Sequence, residues 1–235
     1  MFIRELYFQK TPWSWNQVLP LLFIVFLFVP YFIEFLLKQY LTDYLQSELY
    51  SGTLVGFIMA IIFTVSLYVI AIKPLKLNWS EVGVRPFPKK YCSSILGWTV
   101  GVFVISIFII ILMDLLISVS TANSKTESLK SHLDICTFLI GFISAAIISP
   151  LYEEIFYRGF LYRFIRSRYG ITAGLLISSL IFMVVHIPTY NTLPVNLVTG
   201  LVFAWTYEKT GSIWPGIIIH GTFNGLAIIL TALSS

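Results

Sequence analysis

Charge is what this chain has least of. Only 11% of its 235 residues are Asp, Glu, Lys or Arg, against 57% hydrophobic residues and a mean hydropathy of +0.87. Those proportions lie far outside the range of a soluble globular domain, so the chain reads as an integral membrane protein. Cysteine is nearly missing as well. Cys92 and Cys136 lie in apolar context without C-x-x-C spacing and read as small buried residues that report nothing about redox compartment. No linker, low-complexity tract or internal repeat divides the sequence, so a separate soluble module is not expected. H-E-x-x-H and G-x-G-D motifs are absent, and Gly141 with Ser144 has the wrong spacing for a serine elbow, which removes three familiar routes to proteolysis inside a membrane.

What is present is long apolar sequence. Runs at about 18–38, 52–72, 92–118, 133–162, 171–188, 194–207 and 212–232 set against the roughly 20 residues of a spanning helix predict an all-α bundle of about seven membrane segments. The first run is followed by Tyr31, Phe32, Ile33 and Glu34, not by a small-residue cleavage site, so it stays as a helix. Residues 1–17, rich in aromatics, read as an interfacial segment; 18–132 hold the first three membrane helices and 133–232 a motif-bearing core. Lys73, Lys76, Arg85, Lys89 and Lys90 face one acid, Glu81, in the loop after the second run, which places that loop in the cytoplasm. Arg163, Arg166 and Arg168 agree, and the amino terminus with Arg4 and Lys10 is then also cytoplasmic. The net charge of +4 follows from these loops and needs no nucleic-acid partner.

The few ionisable residues left inside apolar sequence are the functional candidates, because each costs roughly 3 kcal/mol or more at mid-membrane. Glu153, Glu154 and Arg158 follow Pro150, which either starts a helix or kinks one. Glu154 and Arg158 are four apart and share a helical face, so they can neutralise each other; Glu153 points elsewhere and is left as the candidate base. A turn at Tyr169 and Gly170, about 16 residues from both Glu153 and His186, makes a hairpin that brings these two to similar depth. Phe182 shares a face with His186, and Asn224 with His220. Residues Ile187 to Pro194 read as loop at membrane depth, which requires protein or a water-filled cavity beside it. Glu34 and Asp114 sit near helix ends, and His132, beside Lys130, reads as a solvated loop residue.

Two chemistries use these parts. Glu153 with His186 supplies a base for water, and His220 with Asn224 supplies donors for an oxyanion. Alternatively Glu153, His186 and His220 supply three ligands for a zinc ion with one open position. The spacing satisfies both.

Glu153-Glu154-x-x-x-Arg158, Phe182-x-x-x-His186 and His220-x-x-x-Asn224 resemble the three ordered motifs of the CAAX protease and bacteriocin-processing (CPBP, abortive-infection) family of intramembrane proteases. That resemblance implies an endopeptidase with a cytoplasm-facing cavity, in which Glu153 and His186 activate water and His220 and Asn224 stabilise the oxyanion. Glu154, Arg158 and Phe182 would support them, with no cofactor or one Zn2+. It also implies a peptide or membrane-anchored protein as substrate, and lipids around a multi-pass protein of a bacterial plasma membrane. The competing readings are an immunity or peptide-binding protein that holds a peptide without cutting it and, more remotely, a small transporter whose buried charges form an ion path.

Overall fold

The computed structural model describes residues 7–117 and 135–233. The expectations placed on Arg4, Lys130 and His132 lie outside them. Seven long helices make up the described chain: α1 (Trp15–Leu45), α2 (Glu48–Ile72), α3 (Cys92–Ile117), α4 (135–169), α5 (171–184), α6 (Leu193–Thr210) and α7 (Trp214–Leu233). No strand occurs among the described residues. Five stretches are long and apolar enough to cross a membrane: Trp15–Leu45, Glu48–Ile72, Lys89–Leu116, Ile135–Val184 and Trp214–Leu233. The fourth is bent in two at Gly170, whose φ of 85° is open to glycine and strained for other residues, so the predicted hairpin turn between α4 and α5 is observed.

Local sequence explains the helix ends. Ser14 and Gln17 close a capping box at the start of α1. Gln46 ends that helix in the left-handed region, and the Ser47 hydroxyl accepts from the Tyr50 amide to begin α2. Proline, by contrast, does not end helices here. Pro20 and Pro30 both lie within α1, the latter inside a widened stretch over Ile24–Leu37. Pro150 lies inside α4 just after a similar widening at Ser144–Ile148. A wider turn gives room for the proline ring and tolerates its missing N–H, so Pro150 neither starts a helix nor breaks one. A second widened stretch, Glu154–Tyr162, begins at the acidic pair.

The chain forms two compact units, one of Met1–Pro12, Asn78–Thr121 and Glu153–Phe223, the other of Trp13–Leu77, Ala122–Tyr152 and Asn224–Ser235. In the second unit Val18, Leu21, Val25 and Val29 form the buried stripe of α1, at the three- and four-residue spacing of a helix face, and Trp13, just before the helix, is buried too. The Trp13 indole donates to the Ala71 carbonyl at 3.0 Å. Across α2, Gly56 lies against Ser144, and Phe63 meets Tyr152 edge-on at 5.0 Å. Cys92 and Cys136, expected to be buried, are exposed. Apolar sequence context does not imply protein interior in a membrane helix, which can turn apolar and small residues outward to lipid.

The first unit carries the candidate site. Here α5 and α6 pack closely because Gly200 faces Ser179, and the segment around Val82 lies directly on α4 at Gly159. A Cβ on Gly159 would stand 2.2 Å from the Val82 carbonyl oxygen. Gly159→Ala must therefore push backbone away from backbone, and a loss of about 1–3 kcal/mol is expected, seen as a lower melting temperature in detergent. An unchanged melting curve would contradict the contact.

A polar cluster fastens the same unit at Tyr7. Its hydroxyl donates to the Glu81 carbonyl at 2.8 Å and lies 2.8 Å from the Tyr207 hydroxyl. The Arg85 and Arg163 guanidinium carbons each stand 3.7 Å from the centre of the Tyr7 ring. Burial pushes the Tyr7 phenol above its ordinary pKa, against the opposing pull of Arg163, so it stays a neutral donor. Arg163 also donates to the Glu81 carboxylate at 2.7 Å, and Arg85 to the Gly211 carbonyl at 2.6 Å.

Candidate active site

Glu154 begins the widened stretch of α4, and its side chain is 0% exposed. Arg158, 1% exposed, donates through Nη1 to Glu154 Oε1 at 2.9 Å. Its Nη2 reaches the Gly200 carbonyl of α6 at 3.4 Å, and its guanidinium lies 4.2 Å from the Phe182 ring centre and 5.0 Å from that of Phe203. A buried ion pair stands only when its remaining hydrogen-bonding capacity and its surroundings are favourable, and the aromatic faces and carbonyl supply that here. The expected internal pairing of Glu154 with Arg158 is observed.

His220 enters from α7 and is 5% exposed. Its Nδ1 lies 3.1 Å from Glu154 Oε1, and its Nε2 lies 4.0 Å from Glu153 Oε2. Phe203 stacks on the imidazole at 4.8 Å with 19° between the planes, and Phe182 meets it edge-on at 5.9 Å. Gly216, one turn before His220, makes room for the carboxylate: a Cβ there would come within 2.7 Å of Glu154 Oε2. Arg158, Glu154, His220 and Glu153 thus form a chain of alternating sign whenever His220 carries both ring protons. Glu153 Oε2 and Glu154 Oε2 are buried without a hydrogen-bond partner, and the Glu153 side chain is 14% exposed. A carboxylate oxygen held out of bulk water and left unmatched is available to a water or a substrate group.

His186 stands at the end of α5, half-buried, with Nδ1 2.7 Å from the Phe182 carbonyl oxygen and its ring 4.8 Å from that of Phe182. A carbonyl only accepts, so Nδ1 carries a proton and the neutral ring has its lone pair on Nε2. Phe182, expected to do packing work, does so: it touches His186, His220, Tyr157 and the Arg158 guanidinium. Asn224 belongs to the other unit, where its Nδ2 donates to the Ala145 carbonyl at 3.0 Å and leaves one amide hydrogen for another acceptor.

The spacing that pairs Glu153 with His186, and His220 with Asn224, does not reveal that His220 contacts both glutamates. Nor does it reveal Phe203, Gly200 or Gly216. Gly216 could have been found, since it shares a helical face with His220 at a four-residue offset. Phe203 sits in an apolar helix with nothing to distinguish it.

Among the described residues no three His, Cys, Asp or Glu side chains are grouped as a metal site. Glu153, His186 and His220 as placed do not fit a zinc ion.

A buried acid–arginine–histidine cluster thus lies within the helical bundle. Residues 135–226 match the family described as type II CAAX prenyl endopeptidase Rce1-like. One similar curated protein is "Putative membrane peptidase YdiL" of Bacillus subtilis (strain 168), 28% identical over 107 residues, which is 45% of this chain and 43% of that protein. The match thus spans less than half the length of that relative. No solved structure matches the chain. The two matches bear out the CPBP resemblance over the motif-bearing segment and support a membrane protease.

Proposed function

We propose that this protein is an intramembrane endopeptidase that hydrolyses a peptide bond with water activated by Glu153 and His186. The observation that carries the reading is the buried His220 ring, held at Nδ1 by Glu154 and standing 4.0 Å from Glu153 at Nε2. Glu153 supplies an unpartnered carboxylate oxygen to take a proton from water, and His186 offers Nε2 as a second acceptor. As water adds to the carbonyl carbon, negative charge grows on the carbonyl oxygen. His220 Nε2–H and the unused amide hydrogen of Asn224, one turn further along α7, are the donors assigned to it. The proton taken by the base then passes to the leaving nitrogen, and the tetrahedral carbon collapses to acid and amine. Side chains alone carry these proton transfers.

The substrate class is a membrane-associated protein or a leader or signalling peptide. The basic loops favour an amino terminus on the cytoplasmic side, and the similarity to a Bacillus subtilis protein favours a bacterial membrane. Purified protein should be presented with membrane-tethered peptides, prenylated and not, and the products read by mass spectrometry. Wild type is expected to cut at least one site, and His186→Ala to lose about 10²–10⁴-fold in rate with an unchanged melting temperature. Equal cutting by that variant would reject the assignment.

A further inference from the structure

Helix α6 holds no residue of the three motifs, yet one of its faces meets the site at three points. Asn196, Gly200 and Phe203 follow one another along that face at steps of four and three residues. Asn196 donates to the Thr192 hydroxyl at 3.2 Å, Thr192 donates to the Thr189 carbonyl at 2.9 Å, and the Thr189 amide donates to the His186 carbonyl at 2.9 Å. The loop after His186 is thereby tied to the helix. One turn on, the Gly200 carbonyl receives Arg158, and one turn further Phe203 lies against both the Arg158 guanidinium and the His220 ring.

The hydrogen bond that holds His220 is a shared one. Glu154 Oε1 receives both Arg158 Nη1 at 2.9 Å and His220 Nδ1 at 3.1 Å, and an imidazole anchored through one nitrogen can still swivel about that contact. A flat ring is fixed by a flat neighbour. Phe203, 1% exposed, lies 4.8 Å from the imidazole with 19° between the planes, within the range of an offset stack, whereas Phe182 meets it edge-on at 5.9 Å. A turn of the imidazole out of the stacked plane changes where Nε2 points relative to Glu153 Oε2, 4.0 Å away. Gly200 sets the height of the stacking ring. A Cβ there would stand 3.1 Å from Ser179 Cβ and 3.4 Å from Phe182 Cδ1, so a larger residue drives α6, and Phe203 with it, away from α5.

We propose that Phe203 is a positioning residue for His220, its face setting the plane of the imidazole and so the aim of Nε2. The catalytic consequence rests on the protease reading and the ring contact does not, so the two are measured separately. The whole chain carries only three histidines, and in protein labelled at histidine with 13C and 15N the His220 signals are assigned by their loss in His220→Gln. Wild type in detergent is expected to show one narrow set of His220 ring-proton signals, moved upfield by the facing ring. Phe203→Leu keeps apolar volume without the face, so the upfield shift should vanish and the set should broaden or split. Phe203→Tyr keeps the face and should keep both features. On a peptide that wild type cuts, Phe203→Leu should lower kcat about 10–100-fold with KM changed less than about twofold, and Phe203→Tyr should recover kcat to within about threefold. Phe164→Leu, an equally buried ring of the same unit, should alter neither reading. Phe203→Met replaces the leucine variant if that fails to fold, and 4-fluorophenylalanine at position 203 replaces the tyrosine variant. Unchanged His220 signals without the ring face, altered signals with unchanged kcat, a loss that the ring-bearing variant does not recover, or an equal loss in Phe164→Leu would each overturn the role. A wild type that cuts no peptide but shows the His220 signals and their loss would reject the protease reading and leave the ring contact standing.

Discussion

Glu153→Gln is expected to slow peptide hydrolysis by about 10²–10⁴-fold while leaving the helical spectrum and melting temperature as in wild type. Glutamine keeps the size of the side chain and one acceptor oxygen, so packing around it is retained. It cannot take a proton from water. The buried Oε2 of Glu153 has no hydrogen-bond partner, so replacing it breaks no internal bond and the loss would be chemical. Single-turnover rates for wild type and variant on the same peptide make the measurement, and a rate within threefold of wild type would remove Glu153 from the reaction. The same variant separates cutting from holding. If cells expressing it resist a toxic peptide as well as those with wild type, the protein acts by binding, as the immunity reading supposes.

Arg158→Met should cost about 3–5 kcal/mol of stability, the largest effect expected of a single substitution here. Methionine fills much of the same volume between Phe182 and Phe203, yet it leaves the Glu154 carboxylate, 0% exposed, without its cation. The penalty comes from that stranded charge more than from the lost attraction. Combining Arg158→Met with Glu154→Gln should therefore restore part of the stability, giving a coupling that a double-mutant cycle in detergent would read. A double variant as unstable as the sum of the two singles would mean that the pair is not energetically linked.

Much of the architecture could be read from hydropathy and punctuation. The seven segments and the turn at Gly170 follow from apolar length and from a glycine between two helical runs. The helix limits were less legible. The polar end of α1, Lys38–Leu45, continues past the apolar run, and α4 continues through Arg163 and Arg166. Those arginines stay helical with partners 82 and 42 positions away, Glu81 and Glu208, which no local window contains. The widened turns were invisible because residue propensities describe the ordinary helix, and proline inside α1 and α4 reads as interruption until the wider turn is seen. At the site, same-face pairs four apart were legible, including Glu154 with Arg158. The meeting of His220 with Glu154 spans 66 positions and depends on how helices pack, which spacing does not encode.

The clasp around Tyr7 sets an order on assembly. Its ring and hydroxyl are held by Glu81, Arg85, Arg163 and Tyr207, and the last of these lies 200 residues downstream. During synthesis Tyr7 must therefore wait through 200 further residues for its final partner. A ribosome stalled anywhere before residue 207 carries a chain whose clasp cannot be completed, so protection of the Tyr7 segment from protease becomes a clock for the arrival of α6.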